Sequence, residues 1–200
     1  MRLTTRIALL CSMLPCLFAS SAQGQWSAAI QISSDRFWGG STDNTEEHRS
    51  FRPYRPTTFS AALQRRGRRI GLGLRLGYSQ AALGLEGAAA AVVANDVFAI
   101  YSVAPEMSYR VATLRSGNAV LVQGGPLLEI WNIVDEGARA RVGAHGGIAL
   151  LVPLGGRTSL MLSGRLAVVP SPFEDGELLD EYELQTLWRR GLAGALEYRF

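Results

Sequence analysis

Among residues that could do acid–base chemistry, the chain offers only two histidines, His48 and His145, and its 20 basic residues are all Arg, against 17 acids. His145 is the residue type best suited to act as a general base. A hydrolytic site built on it needs a hydroxyl nucleophile and an orienting acid within hydrogen-bond reach. Ser163 and Glu129 are the conceivable partners, but their spacing does not tie them to His145. The acids Glu174, Asp175, Glu177, Asp180, Glu181 and Glu183 form a cluster whose oxygens suit a hard cation such as Ca²⁺. EF-hand spacing is absent, which favours a solvated acidic loop. Residues 34–56 mix Phe37, Trp38, Phe51 and Tyr54 with Asp43, Glu46, Glu47 and His48. Such a stretch suits contact with a partner, or self-packing over whatever lies beneath it. No Gly-rich nucleotide loop, zinc pattern or heptad is present, so no cofactor and no metal are expected.

The N-terminus narrows the setting. Arg2 and Arg6 precede an apolar run over residues 7–19, and Ser20, Ser21, Ala22 and Gly24 supply small residues after it. The run is shorter than the roughly 20 residues a membrane-spanning helix needs, which predicts a cleaved signal peptide over 1–24 with the cut before Gln25. Cys11 and Cys16 both fall inside it. The mature chain then has no thiol chemistry. Cys16 as a lipid-modified residue is the weaker alternative, because Met13, Leu14 and Pro15 before it are not the small residues an acceptor site shows. Without Arg2 and Arg6, 18 basic residues face 17 acids, which is no footprint for nucleic acid.

The elements that must position these side chains are strands. Period-two alternation runs through most of residues 25–200. At the C-terminus, Tyr182, Leu184, Trp188, Leu192, Leu196, Tyr198 and Phe200 share one face, while Ala193, Ala195, Glu197 and Arg199 share the other. The same alternation appears around Leu160, Ile148, Val122, Tyr101, Leu74, Phe59 and Ile30, giving eight strands. A soluble sheet would carry long solvated side chains on its polar face. Here that face is mostly Gly, Ala and Ser with scattered charges, which suits the cramped interior of an eight-stranded barrel. The greasy face ends in aromatics, as a membrane-interface girdle does. Trp26, Tyr78, Trp188, Tyr198 and Phe200 are the expected interface aromatics. Arg190 points outward, but it lies ten residues from Phe200, at the rim, where lipid phosphates are within reach.

Tight turn chemistries at Arg66-Gly67, Ser116-Gly117-Asn118 and Gly155-Gly156 alternate with longer segments at about 34–56, 81–96, 133–138 and 170–181. This predicts an all-β, up-and-down antiparallel transmembrane β-barrel of eight strands over 25–200. The apolar stretch 81–96 either extends its flanking strands above the membrane or adds a hairpin, which would make ten strands. Pro105 and Pro126 sit in adjoining strands, where a local bulge is expected.

The mature chain, ending in Leu196-Glu197-Tyr198-Arg199-Phe200, resembles the small eight-stranded outer-membrane barrels of the OmpA and OmpX kind. The resemblance implies an outer-membrane location with both termini periplasmic. It also implies recognition of the C-terminal strand by the barrel-assembly machinery. The alternation places Arg75, Glu106, Arg110, Glu129, Arg139, Arg141, His145, Arg165, Arg189 and Glu197 in the lumen, where charges must be paired or hydrated. The expected function is therefore a non-enzymatic barrel with a plugged polar lumen, acting as a structural or surface-interaction protein through its external loops. Its expected partners are outer-membrane lipids and an extracellular partner at those loops. A small anion-permeable pore and a lipid-modifying enzyme are the alternatives.

Overall fold

Alternation carries through every long strand of the computed structural model, which describes residues 25–39, 41–43, 50–86, 91–134, 137–173 and 182–200. The strands are β1 (Gln25–Trp38), β2 (Ser41–Asp43), β3 (Ser50–Arg66), β4 (Ile70–Glu86), β5 (Ala91–Thr113), β6 (Ala119–Ile133), β7 (Gly137–Gly155), β8 (Thr158–Val169), β9 (Tyr182–Leu184) and β10 (Leu187–Arg199). Eight of them form a closed antiparallel barrel in the order β1-β10-β8-β7-β6-β5-β4-β3. The other two, β2 and β9, pair only with each other, so the barrel has eight strands and not ten.

In β1, Ser27, Ala29, Gln31, Ser33, Asp35 and Phe37 are buried, while Ala28, Ile30, Ile32, Ser34 and Arg36 are exposed. Every barrel strand adds exposed apolar side chains to the outside: Ile30, Phe59, Leu76, Met107, Val122, Val142, Leu162 and Leu192 represent the eight in chain order. The result is a continuous greasy belt. An apolar surface this extensive on a closed barrel is a lipid-facing one. Closure also leaves no sheet edge unpaired in hydrocarbon.

Gln25 and Phe200, the first and last described residues, lie at the end that carries the turns 67–69, 114–118 and 156–157, with Gln25 opposite Arg66 and Ser27 opposite Arg199. Gly117, Gly155 and Gly156 take the positive φ their turns require. At the opposite end the structure corrects two expectations. Segments 81–96 and 133–138 are not long loops: β4 runs to Glu86 and β5 starts at Ala91, while Ile133 pairs directly with Gly137. Strand extension is the outcome for this apolar stretch, since residues 91–94 pair with β4. The bulge expected at the prolines is also absent. Val103 pairs with Leu128 and Met107 with Gly124 in unchanged register, and only the pairs between them are missing from the ladder. Neither Pro105 nor Pro126 has an N–H to give, so the ladder is interrupted without being shifted. The β5–β6 register shift lies instead between Arg110 and Ala112.

Close packing inside the wall constrains particular glycines. A Cβ at Gly191 would collide with the Asp35 carboxylate, which Thr58 Oγ1 holds at 2.5 Å and Ser33 Oγ at 3.2 Å. A Cβ at Gly194, on the outer face, meets nothing. Gly191→Ala is therefore expected to cost about 1–3 kcal/mol through overpacking, against under about 0.5 kcal/mol for Gly194→Ala. Urea unfolding of the micelle-folded protein compares the two.

Candidate functional site

The interior holds the residues that could do chemistry, and it is layered. Toward the end remote from the termini, Phe37, Phe98, Ile100, Leu127, Trp131, Ile133, Val169, Phe173 and Leu187 form a buried apolar cluster. Trp131 meets Phe37 and Phe98 edge-on, with centroids 6.0 and 5.9 Å away, and Phe173 packs on Phe98 at 6.3 Å. The wholly polar hollow expected from the alternation is thus corrected. The same inward positions carry large apolar side chains in the upper part of the barrel.

Charges occupy the middle of the bore, and a second buried apolar cluster of Ala119, Leu121, Ala149, Leu151, Met161 and Ala195 lies toward the turn end. Arg75 Nη2 pairs with Glu106 Oε2, both buried. Gln64 donates to Glu106 at 3.5 Å and accepts from Arg66 Nε at 3.1 Å, while Arg66 Nη1 reaches Glu197 at 2.7 Å. A continuous network thereby links β4, β5, β3 and β10 across the lumen. Arg189 pairs with Glu129 at 2.7 Å, with its guanidinium 5.6 Å from the Phe37 ring centroid. Arg199 donates to Ser159 Oγ at 3.3 Å. Arg110 faces Arg66.

Arg139 and Arg141 do something different. They donate to the carbonyls of Pro172 and Ser171, at 3.0 and 2.7 Å, and so hold the segment after β8 against the barrel mouth. Arg165 and His145 line a small central cavity of about 40 Å³ with Asp35, Thr58, Arg75 and Arg189. Among the described residues Arg165 makes no ion pair, and its Nε and Nη2 have no hydrogen-bond partner. His145 lies within hydrogen-bonding reach of the Pro105 carbonyl, which the interrupted ladder leaves available.

The structure does not assemble a catalytic triad. His145 pairs with Ala167 and Ser163 with Ala149, four residues apart on the β7–β8 ladder. That is roughly 13 Å at the usual strand rise. Glu129, opposite Arg141, is equally displaced from His145, which sits opposite Gly125. Residues 1–24, where a signal peptide is expected, Glu46, Glu47, His48 and most of the acidic run 174–183 lie outside the described residues.

Aromatic side chains mark the two ends of the outer belt. Tyr198 stacks on Phe200, with Trp26 beside them through a Phe200 N–H bond to its carbonyl. Trp188 stacks on Trp38 at the other end, centroids 6.1 Å apart and ring planes nearly parallel. Tyr78 packs on Tyr101 at 5.1 Å. Ten residues separate Trp188 from Tyr198, about 25 Å of membrane at a 40° tilt. The chain has the fold of the small outer-membrane barrels. Neisserial surface protein A superposes with a TM-score of 0.56 at 8% identity, over 88% of this chain and 97% of that one. OprG from Pseudomonas aeruginosa gives 0.55 at 9%, over 89% and 96%. The N-terminal β-barrel domain of Pseudomonas aeruginosa OprF gives 0.50 at 15%, over 88% and 100%. No family model matches the sequence, and no curated protein does either. At such identities the likeness concerns the barrel and carries no residue roles with it.

Three inward residues that sequence reasoning passed over belong to this interior: Asp35, Gln64 in its bridging role, and Arg66. The signal was present. Extending the alternation of β1 past Ser33 and of β3 past Gln64 turns Asp35 and Arg66 inward. Both strands run on past the points where a loop from residue 34 and a turn at Arg66-Gly67 would end them.

Proposed function

We propose that this protein resides in a bacterial outer membrane, termini on the periplasmic side, as a non-enzymatic and non-conducting barrel. Export through a signal peptide and assembly through the C-terminal strand belong to this reading. So does an action at the end opposite the termini, as a structural or surface-interaction protein. The observation that carries it is the double obstruction of the bore. A buried aromatic layer centred on Trp131 lies above a cross-linked set of ion pairs, and the segment 170–173 is pinned over the mouth. An ion would have to displace both.

Planar-bilayer recording on the purified protein tests this. No unitary conductance steps are expected over long recordings. Stable anion-selective steps would replace this reading with that of a pore lined by the arginine excess. Sedimentation with outer-membrane fractions, together with heat-modifiable gel mobility, tests location and closure.

A further inference from the structure

Arg36 and Arg190 are direct cross-strand partners on the outer face of β1 and β10. Like charges placed so are destabilising unless something neutralises them. Neither makes an ion pair with a described residue; Arg190 has only the Trp38 ring, 5.7 Å from its guanidinium. Each lies two residues nearer the termini than the stacked Trp38 and Trp188, so the pair sits just inside the aromatic girdle. At that depth an unneutralised guanidinium facing lipid is costly, and phosphate headgroups are the anions at hand.

Directly beside this pair, a groove of about 940 Å³ runs along the outer wall of β7, β8 and β10. Arg36, Arg190 and Trp188 border it, and Ile148, Leu166 and Leu192 line it. Its depth comes from absent side chains. Gly146 and Gly164 occupy outward positions in it, and a Cβ at Gly164 would meet only Leu192 Cδ2, at 3.8 Å. An apolar trough that starts at two paired cations has the shape and charge of a lipid site.

We infer that this groove binds one membrane lipid bearing a phosphate monoester, with the phosphate between Arg36 and Arg190 and an acyl chain along Leu166, Ile148 and Leu192. Two adjacent guanidiniums match the charge of a monoester, about −1.5 to −2 at neutral pH, better than that of a singly charged diester. A phosphoglycolipid of an outer leaflet has that chemistry. The inference rests on the membrane location proposed above.

Native mass spectrometry of the full mature chain, refolded in detergent with lipid A, reads the site. Heat-modifiable mobility first establishes that each variant is a closed barrel. Wild type is expected to retain lipid A, and to retain its fully dephosphorylated form about tenfold less. R36Q/R190Q and the groove-filling Gly164→Leu are each expected to lower lipid A retention about tenfold while staying heat-modifiable. Inorganic phosphate should not displace the lipid. Retention by R36Q/R190Q within about twofold of wild type would overturn the inference. Displacement by inorganic phosphate would do so too, leaving a bare anion site. A wild-type chain that forms no heat-modifiable barrel and enters no membrane would sink the location and this inference together. Insertion with indiscriminate lipid retention sinks this inference alone.

Discussion

Glu106→Ala is expected to lower stability by about 3–5 kcal/mol, the cost of leaving a buried charge without its partner. Arg75 is only 5% exposed, and Glu106 is the acid it pairs with. Arg165 is nearby and has no ion pair of its own, so the substitution leaves two guanidiniums facing each other across the cavity. Gln64 also loses an acceptor. Replacing both members, Arg75→Met with Glu106→Leu, removes the uncompensated charge along with the pair and should recover most of the loss. The comparison separates the worth of the ion pair from the penalty of breaking it. Urea unfolding in micelles, with unchanged m-values, measures both. A loss under about 1 kcal/mol for Glu106→Ala would mean that water reaches Arg75 and that the bore is wetter than its geometry implies.

Trp131→Ala is the second large effect, again about 3–5 kcal/mol. Trp131 is fully buried among Phe37, Phe98 and their neighbours, which are held by strands of the barrel and cannot collapse into the space it leaves. Trp131→Phe should cost much less. It keeps most of the packing, and the indole Nε1 has no hydrogen-bond partner to lose. Thermal loss of the compact gel form ranks the variants. Equal midpoints for Trp131→Ala and wild type would contradict the plug. The Arg189–Glu129 pair remains beneath it, so Trp131→Ala alone is expected to stay non-conducting.

The barrel was readable because period two acts locally and its two faces here differ so strongly: Ile30, Leu192 and Leu196 alternate with Ala29, Ala193 and Ala195. Strand ends were harder to place. Alternation marks a strand only while its faces differ in polarity, and near the outer end both faces become mixed. In β1, exposed Ser34 and Arg36 are polar while buried Phe37 is aromatic, so the chain reads as loop although it continues as strand to Trp38. Residues 81–96 allowed either strand extension or a further hairpin, and the pairing of 91–94 with 83–86 realises the first. Within the site, orientation was legible and partnership was not. Inward positions could be assigned to Arg75, Glu106, Arg139 and Glu129 alike. Which Arg meets which Glu depends on strand stagger around a closed ring, a property of long-range register. That register gave Arg189 to Glu129 and set Arg139 and Arg141 within reach of the Pro172 and Ser171 carbonyls.

Closure joins the first barrel strand to the last, so Ile30 of β1 lies opposite Leu196 of β10. The seam is the last ladder the ribosome makes available, and until β10 arrives both β1 and β8 expose bare N–H and C=O groups. In hydrocarbon those groups find no water. Insertion therefore cannot advance hairpin by hairpin to a stable halfway point: the polypeptide must be kept unfolded outside the bilayer, or escorted, until all thirteen residues of the closing strand can dock.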